Sequence, residues 1–173
     1  MRVIECEQGT SEWLEARLGC PSASSYAKLI TSAGKSSAQS DAYINQLVAE
    51  KITGDSTFFQ ITDPMQRGMD LEPDARTAYE MESGNLVDQV GFLKHDTLEA
   101  GASPDGLIGE NGGLEIKCPM PHTHVEYLRA GKLPTKYFQQ VQGCLWISGR
   151  DWWDFMSYHP KMEPLIVRVY RDE

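Results

Sequence analysis

The sequence contains no apolar run approaching the roughly 18 residues that a membrane-spanning helix requires. Its longest apolar stretches, such as LIGENGGLEI and CLWIS, are interrupted by polar residues, so no membrane contact is expected. The first residues, MRVIECEQGTSEW, have neither the basic start nor the apolar stretch of a secretory signal, and the chain reads as cytoplasmic. Cysteine is sparse: Cys6, Cys20, Cys118 and Cys144 stand far apart. That scatter fits neither a disulfide framework nor the CxxC pairs of a zinc site, and it suggests reduced, mostly buried thiols. Positive charge is in deficit as well, with 16 Lys+Arg against 25 Asp+Glu and a net charge of -9. Such a balance argues against a passive nucleic-acid coat or a basic membrane-surface protein, although not against a DNA enzyme with one local basic channel. No repeat, low-complexity tract or Pro/Gly/Ser linker divides the 173 residues, and the length suits one domain spanning 1–173.

The patterns along the chain point to an α+β class. TSEWLEARLG carries a Thr/Ser cap, apolar Trp13, Leu14 and Leu18 at helical spacing, and Gly19 as a stop. A short helix from Ser22 to about Ile30 and a flexible loop from Ser32 to Asp41 follow. DAYINQLVAEKITG then places Tyr43, Ile44, Leu47, Val48 and Ile52 on one helical face, ending at a glycine. In MQRGMDLEPDARTAYEMESG a helix is expected to begin or bend near Glu72, because Pro73 costs least in a first turn. NLVDQVGFLKHD, LEAGASPDGLIG and GGLEIKCP read as three antiparallel strands, YFQQVQGCLWISG as a helix, and DWWDFMSYHP and LIVRVYR as further strands. His122 and His124 are read as part of a loop, and at least one of Trp152 and Trp153 as core.

The chemistry concentrates in SPDGLIGENGGLEIKCP, where Glu115 follows Asp105 by ten residues and Lys117 comes two further on. Alternation along a strand puts Glu115 and Lys117 on one face and Ile116 on the other. The GENGG turn would return the chain so that Asp105 lies opposite Glu115. Two carboxylates converging with a backbone carbonyl offer the hard oxygen ligands that Mg²⁺ or Mn²⁺ prefers. A lysine beside them can orient or acidify a water, or stabilise charge on a phosphate, which a metal store does not need.

These residues carry a family resemblance. The chain resembles the bacteriophage lambda exonuclease group, the YqaJ-type viral recombinases of the PD-(D/E)xK nuclease superfamily, from about Glu7 to Arg171. Four ordered blocks support it: EWLEARLGCPSAS, RGMDLEPDARTAYE, ASPDGLIGENGGLEIKCP and YFQQVQGCLWISGRDWWDF. The resemblance implies a restriction-endonuclease-like α/β core with a mixed, mainly antiparallel sheet flanked by helices. It implies a Mg²⁺-dependent exodeoxyribonuclease, with Mn²⁺ as a substitute, that degrades the 5′-ended strand of linear duplex DNA to mononucleotides and leaves 3′ overhangs for annealing.

In that reading Asp105, Glu115 and the Ile116 backbone carbonyl hold the metal, and Glu72 joins directly or through water. Lys117 activates or orients the attacking water and Gln140 assists, whereas Gln139 and Gln142 face elsewhere. Arg17, Ser24 and Ser103 bind the 5′-phosphate of the DNA end, since a guanidinium fork and hydroxyls beside a helix start suit a phosphate. Asp70, Asp74 and Glu80 are expected to be solvated helix charges. Partners implied by resemblance are double-stranded DNA ends, a single-strand annealing protein and a homotrimer ring; the location would be the host cytoplasm for a phage or prophage gene. The alternatives are a structure- or sequence-specific endonuclease on the same core and a non-catalytic DNA-end-binding module. Between Lys117 and Lys136, four basic residues (Lys117, Arg129, Lys132, Lys136) stand against Glu126, a local basic track in an acidic chain.

Overall fold

The computed structural model of the chain describes residues 1–56 and 62–172. Its centre is a four-stranded sheet in the order β4-β5-β6-β7, formed by Gly106–Ile108, Gly112–Lys117, Trp152–Ser157 and Leu165–Tyr170. β5 and β6 run parallel, and the other two pairs are antiparallel. Covered on both faces, β5 and β6 are buried almost throughout, as expected for a parallel pair at the middle of a sheet. A smaller antiparallel sheet, β1-β2-β3, comprises Arg2–Ile4, Phe92–Lys94 and Gly101–Ala102. The expected mixed, mainly antiparallel architecture flanked by helices is therefore present. However, the middle strand-like segment splits at Ser103–Asp105 into β3 and β4, which belong to different sheets.

Helices cover the central sheet from opposite sides. On one face α5 (Phe138–Ser148) packs Val141, Cys144 and Leu145 with Leu93, Ala102 and Trp153, joined by Ala23 and Tyr26 of a 3₁₀ turn spanning Ala23–Lys28. Trp153 lies so close to β5 that a Cβ on Gly113 would meet its ring at 2.3 Å, so that strand position accepts only glycine without a shift of the core. On the other face α3 (Asp63–Ser83) sets Ala75 and Tyr79 against Ile108, Leu114, Ile116 and Met156. Tyr79 also donates to Asp154 at 2.7 Å, and Arg168 grips the same buried carboxylate with two bonds of 2.9 Å. Charged acceptors buried among apolar residues need such full pairing.

Three expectations are corrected. The helix carrying Glu72 does not begin near Glu72: it starts nine residues earlier, at Asp63, with Pro64 in its first turn and Pro73 in its interior. Proline there removes the donor for one carbonyl and crowds the preceding turn, yet the helix continues through it and buries Ala75 and Tyr79 beyond. His122 and His124 lie not in a loop but on α4 (Pro121–Ala130), where His124 is fully buried between the Ser157 hydroxyl at 2.8 Å and the Glu163 carbonyl at 2.9 Å. On α2 (Ser40–Thr53) Tyr43 faces inward, but Ile44, Val48 and Ile52 are exposed, Ile52 at 79%. Glu80 is not merely solvated, since it accepts from the Val87 amide at 2.9 Å.

All four cysteines are free, with Cys20 and Cys144 buried. Among the described residues no helix is long and apolar enough to cross a membrane. Because Tyr79 locks α3 to the sheet, Tyr79→Phe should destabilise the fold by about 1.5–3 kcal/mol, the range for a hydrogen bond to a charged group. Urea unfolding measures this, and a loss below about 0.5 kcal/mol would mean that packing alone sets the helix.

Candidate active site

Strand alternation brings Glu115 and Lys117 to the α5 side of the sheet, and the helix delivers Gln140 to meet them. Lys117 Nζ donates to Glu115 Oε1, and Gln140 Nε2 donates to the same oxygen at 2.6 Å. The other oxygen, Glu115 Oε2, is buried and has no hydrogen-bond partner. Asp105 follows Pro104 in the link between the two sheets, and its Oδ2 accepts from the Ile116 amide at 2.5 Å. Since the Leu114 carbonyl accepts from the Asp105 amide at 3.2 Å, and residues two apart on a strand share an edge, the Ile116 carbonyl faces the Asp105 side.

Glu72 sits on α3, one-third exposed, and its Oε1 accepts from Arg76 at 2.6 Å. It lies near enough for Asp105 and Lys117 to influence its charge. Gln139 and Gln142 point elsewhere, to the carbonyls of Ile30 and Tyr170.

The electrostatics are those of a site with an excess of buried negative charge. Burial pushes the Glu115 carboxyl up to about 7, and the Asp105 charge adds to this against the opposing pull of Lys117. Asp105 is raised by burial, with Lys117 and the Ile116 amide pulling the other way. For Lys117 burial favours the neutral amine, but Glu115 and Asp105 together outweigh it and hold the ammonium charged.

Among the described residues no three His, Cys, Asp or Glu side chains gather to hold an ion. Even so, the donor set fits magnesium, which keeps several waters and takes only one or two carboxylates. An unpartnered buried oxygen on Glu115, in a carboxylate that also feels the Asp105 charge, is costly without a cation and satisfied by one.

A second constellation adjoins the first. Arg17, on α1 (Ser11–Arg17), donates to Ser103 Oγ at 2.8 Å and Ser22 Oγ at 3.2 Å, and lies 4.1 Å above the Trp13 ring. Ser24 reaches the Ser22 hydroxyl at 3.2 Å, and the Trp13 indole donates to Ser103 at 2.9 Å. A cavity of about 60 Å³ opens beside Arg17, lined also by Trp13, Ser22, Lys28 and Tyr43. The guanidinium is thus bonded to neutral hydroxyls, and burial favours loss of its charge.

The fold that holds these groups is shared with known proteins. The profile of the YqaJ-like viral recombinase domain matches residues 12–151. The chain belongs to that family. An alkaline exonuclease from Laribacter hongkongensis is 39% identical, with a TM-score of 0.84 over 94% of this chain and 83% of its own; the same protein has been solved in complex with dAMP. A phage-related exonuclease from Haemophilus somnus 129PT shares the fold, with a TM-score of 0.62 at 17% identity over 88% of this chain and 85% of its own. No functionally curated protein matches the sequence.

In this YqaJ-like domain several residues at the site had drawn no attention in the sequence. Tyr137 stacks on Phe155 at 5.2 Å and presents its ring to Lys117 and Lys136 at 5.5 and 4.9 Å. Arg67 reaches from α3 to the carbonyls of Cys118 and Pro119, at 2.6 and 3.0 Å, where β5 ends. Gln8 bonds the Pro104 carbonyl at 2.8 Å. Position three before Gln140 on a helix could have singled out Tyr137; nothing local marks Gln8 or Arg67.

Because the folded Glu115 holds its proton up to about 7, against an ordinary value of 4.5, the metal-free protein should lose stability as pH rises through that window. The unfolded chain releases the proton first, so the folded state is penalised progressively. In chelator, the melting temperature of the natural protein should fall relative to Glu115→Gln between those values; parallel curves would contradict the assignment.

Proposed function

We propose that this YqaJ-family chain is a divalent-metal-dependent exodeoxyribonuclease that degrades the 5′-ended strand of linear duplex DNA to mononucleotides, leaving 3′ overhangs for annealing. The observation carrying this reading is the Glu115 carboxylate, with one oxygen held by Lys117 and Gln140, the other buried and unpartnered, and the Asp105 charge close enough to act on the group. The exonuclease name of the Laribacter protein, and its complex with dAMP, support the reaction class and a mononucleotide product.

Asp105, Glu115 and the Ile116 carbonyl would hold magnesium or manganese, with Glu72 reaching it through water, and the ion would supply a more acidic water and positive charge against the scissile phosphate. Lys117 keeps its proton, so it suits donation to a phosphate oxygen or orientation of the attacking water better than base catalysis. Gln140 holds Glu115 in register and has a second amide hydrogen for the phosphate or water. Arg76 holds Glu72 by an ion pair and favours its charged form.

Arg17, Ser103 and Ser24 are the 5′-phosphate anchor. A dianionic phosphate would give the guanidinium charge-assisted bonds stronger than those to hydroxyls. Double-stranded DNA ends are the substrate, and a single-strand annealing protein and a homotrimer ring are the proposed partners. The exposed Ile44, Val48 and Ile52 of α2 offer an apolar face for subunit contact.

The test uses linear duplex DNA labelled at the 5′ phosphate beside covalently closed circles. Linear ends should release labelled mononucleotides with Mg²⁺ and not with chelator, and Lys117→Ala should lower the rate by about 10²–10³-fold. Closed circles cut in preference to ends would favour an endonuclease, and equal activity in chelator would remove the metal. Arg17→Ala should abolish the preference for 5′-phosphorylated over 5′-hydroxyl ends while Mg²⁺-dependent cleavage persists; an unchanged preference would refute the anchor.

A further inference from the structure

The phosphate-anchoring pocket and the acidic cluster are joined by one short piece of chain. β3 ends at Ala102 and β4 begins at Gly106, so Ser103, Pro104 and Asp105 alone span the gap. Ser103 receives the Arg17 and Trp13 hydrogen bonds, and Asp105 belongs to the acidic cluster. Two residues reach at most about 7 Å, comparable with one sugar–phosphate unit. Pro104 is fully buried and has no amide hydrogen, so its carbonyl is the handle by which neighbouring structure can grip the linker.

Gln8 grips it. The Gln8 side-chain amide donates to the Pro104 carbonyl at 2.8 Å and to the Val90 carbonyl, just ahead of β2, at 3.0 Å. Two residues later, Thr10 caps α1, the helix that carries Trp13 and Arg17. The segment before Gln8 is pressed against the same region, because a Cβ on Gly91 would fall 2.3 Å from the Cys6 carbonyl. One amide therefore ties the start of the anchor helix to the middle of the linker.

We infer that Gln8 is a specificity-determining positioning residue: by clamping Pro104 it fixes the separation of the 5′-phosphate anchor from the acids and so sets the released product at one nucleotide. The inference rests on the exonuclease reading above. Gln8 reaches only backbone carbonyls in the structure, so its effect passes through Ser103 and Asp105 and not through contact with DNA.

Gln8→Glu would set carboxylate oxygens against two carbonyls, and Gln8→Ala would remove both bonds. Gln8 is exposed, so both variants should fold, and thermal melting checks this. The experiment is brief digestion of 5′-phosphorylated linear duplex DNA with Mg²⁺, with product lengths read by mass spectrometry. The natural protein should release mononucleotides, and both variants should show a several-fold rise in di- and trinucleotides at retained melting temperature. Slower release of mononucleotides only would overturn the clamp and leave the exonuclease reading standing. Absence of mononucleotides from the natural protein would overturn the reading and the clamp together.

Discussion

A buried carboxylate with one satisfied oxygen and one unsatisfied oxygen is the constraint around which the site is organised. Glu115 stands on a central strand, 2% exposed, where an uncompensated charge is expensive. Lys117 and Gln140 satisfy Oε1, and nothing among the described residues satisfies Oε2. Stability alone would favour an apolar residue at that position. The retained charge is the kind of local conflict that marks a functional site, paired here with an aspartate whose own carboxyl is raised by burial.

The surrounding fold supplies rigidity in proportion to that demand. β5 is flanked by β4 on one side and by parallel β6 on the other, so its backbone cannot slide without exposing the Leu114 and Ile116 face. α5 brings Gln140 from one side of the sheet, and α3 brings Glu72 from the other. Tyr79, bonded to Asp154, lies seven residues after Glu72, about 10 Å along the same helix. Arg17 and Ser24, proposed as the anchor, depend on different elements, α1 and the 3₁₀ turn, and are linked to the acids through Ser103–Asp105. The distance between the two constellations is therefore a property of one linker and its restraints.

What could be read from sequence follows from the range over which each feature is determined. Asp105, Glu115 and Lys117 lie within thirteen residues, and a turn plus strand alternation is enough to bring them together. The helices ending at Gly54 and Gly149 were legible for the same local reason. Periodicity also identified the face of α2 that carries Ile44, Val48 and Ile52, but periodicity does not say whether a face has a partner, and this one lies open. α4 escaped notice because prolines and two histidines mask its pattern, although Pro121 is well placed in a first turn. β1 has only three residues and no pattern to detect. Gln8 was not legible at all: its partners lie 82 and 96 residues away, and only the assembled fold brings them within reach.

The central claim is that the unpartnered oxygen of Glu115 faces a cation position shared with Asp105 and the Ile116 carbonyl. Diffraction from crystals soaked in manganese, recorded at a wavelength where that metal scatters anomalously, tests it directly. The account predicts an anomalous peak bonded to Glu115 Oε2 and to Asp105, at the oxygen distances of about 2.0–2.3 Å typical of small divalent ions. A peak confined to other acids, or none at this position while Glu115 Oε2 takes a hydrogen bond from the protein, would contradict it.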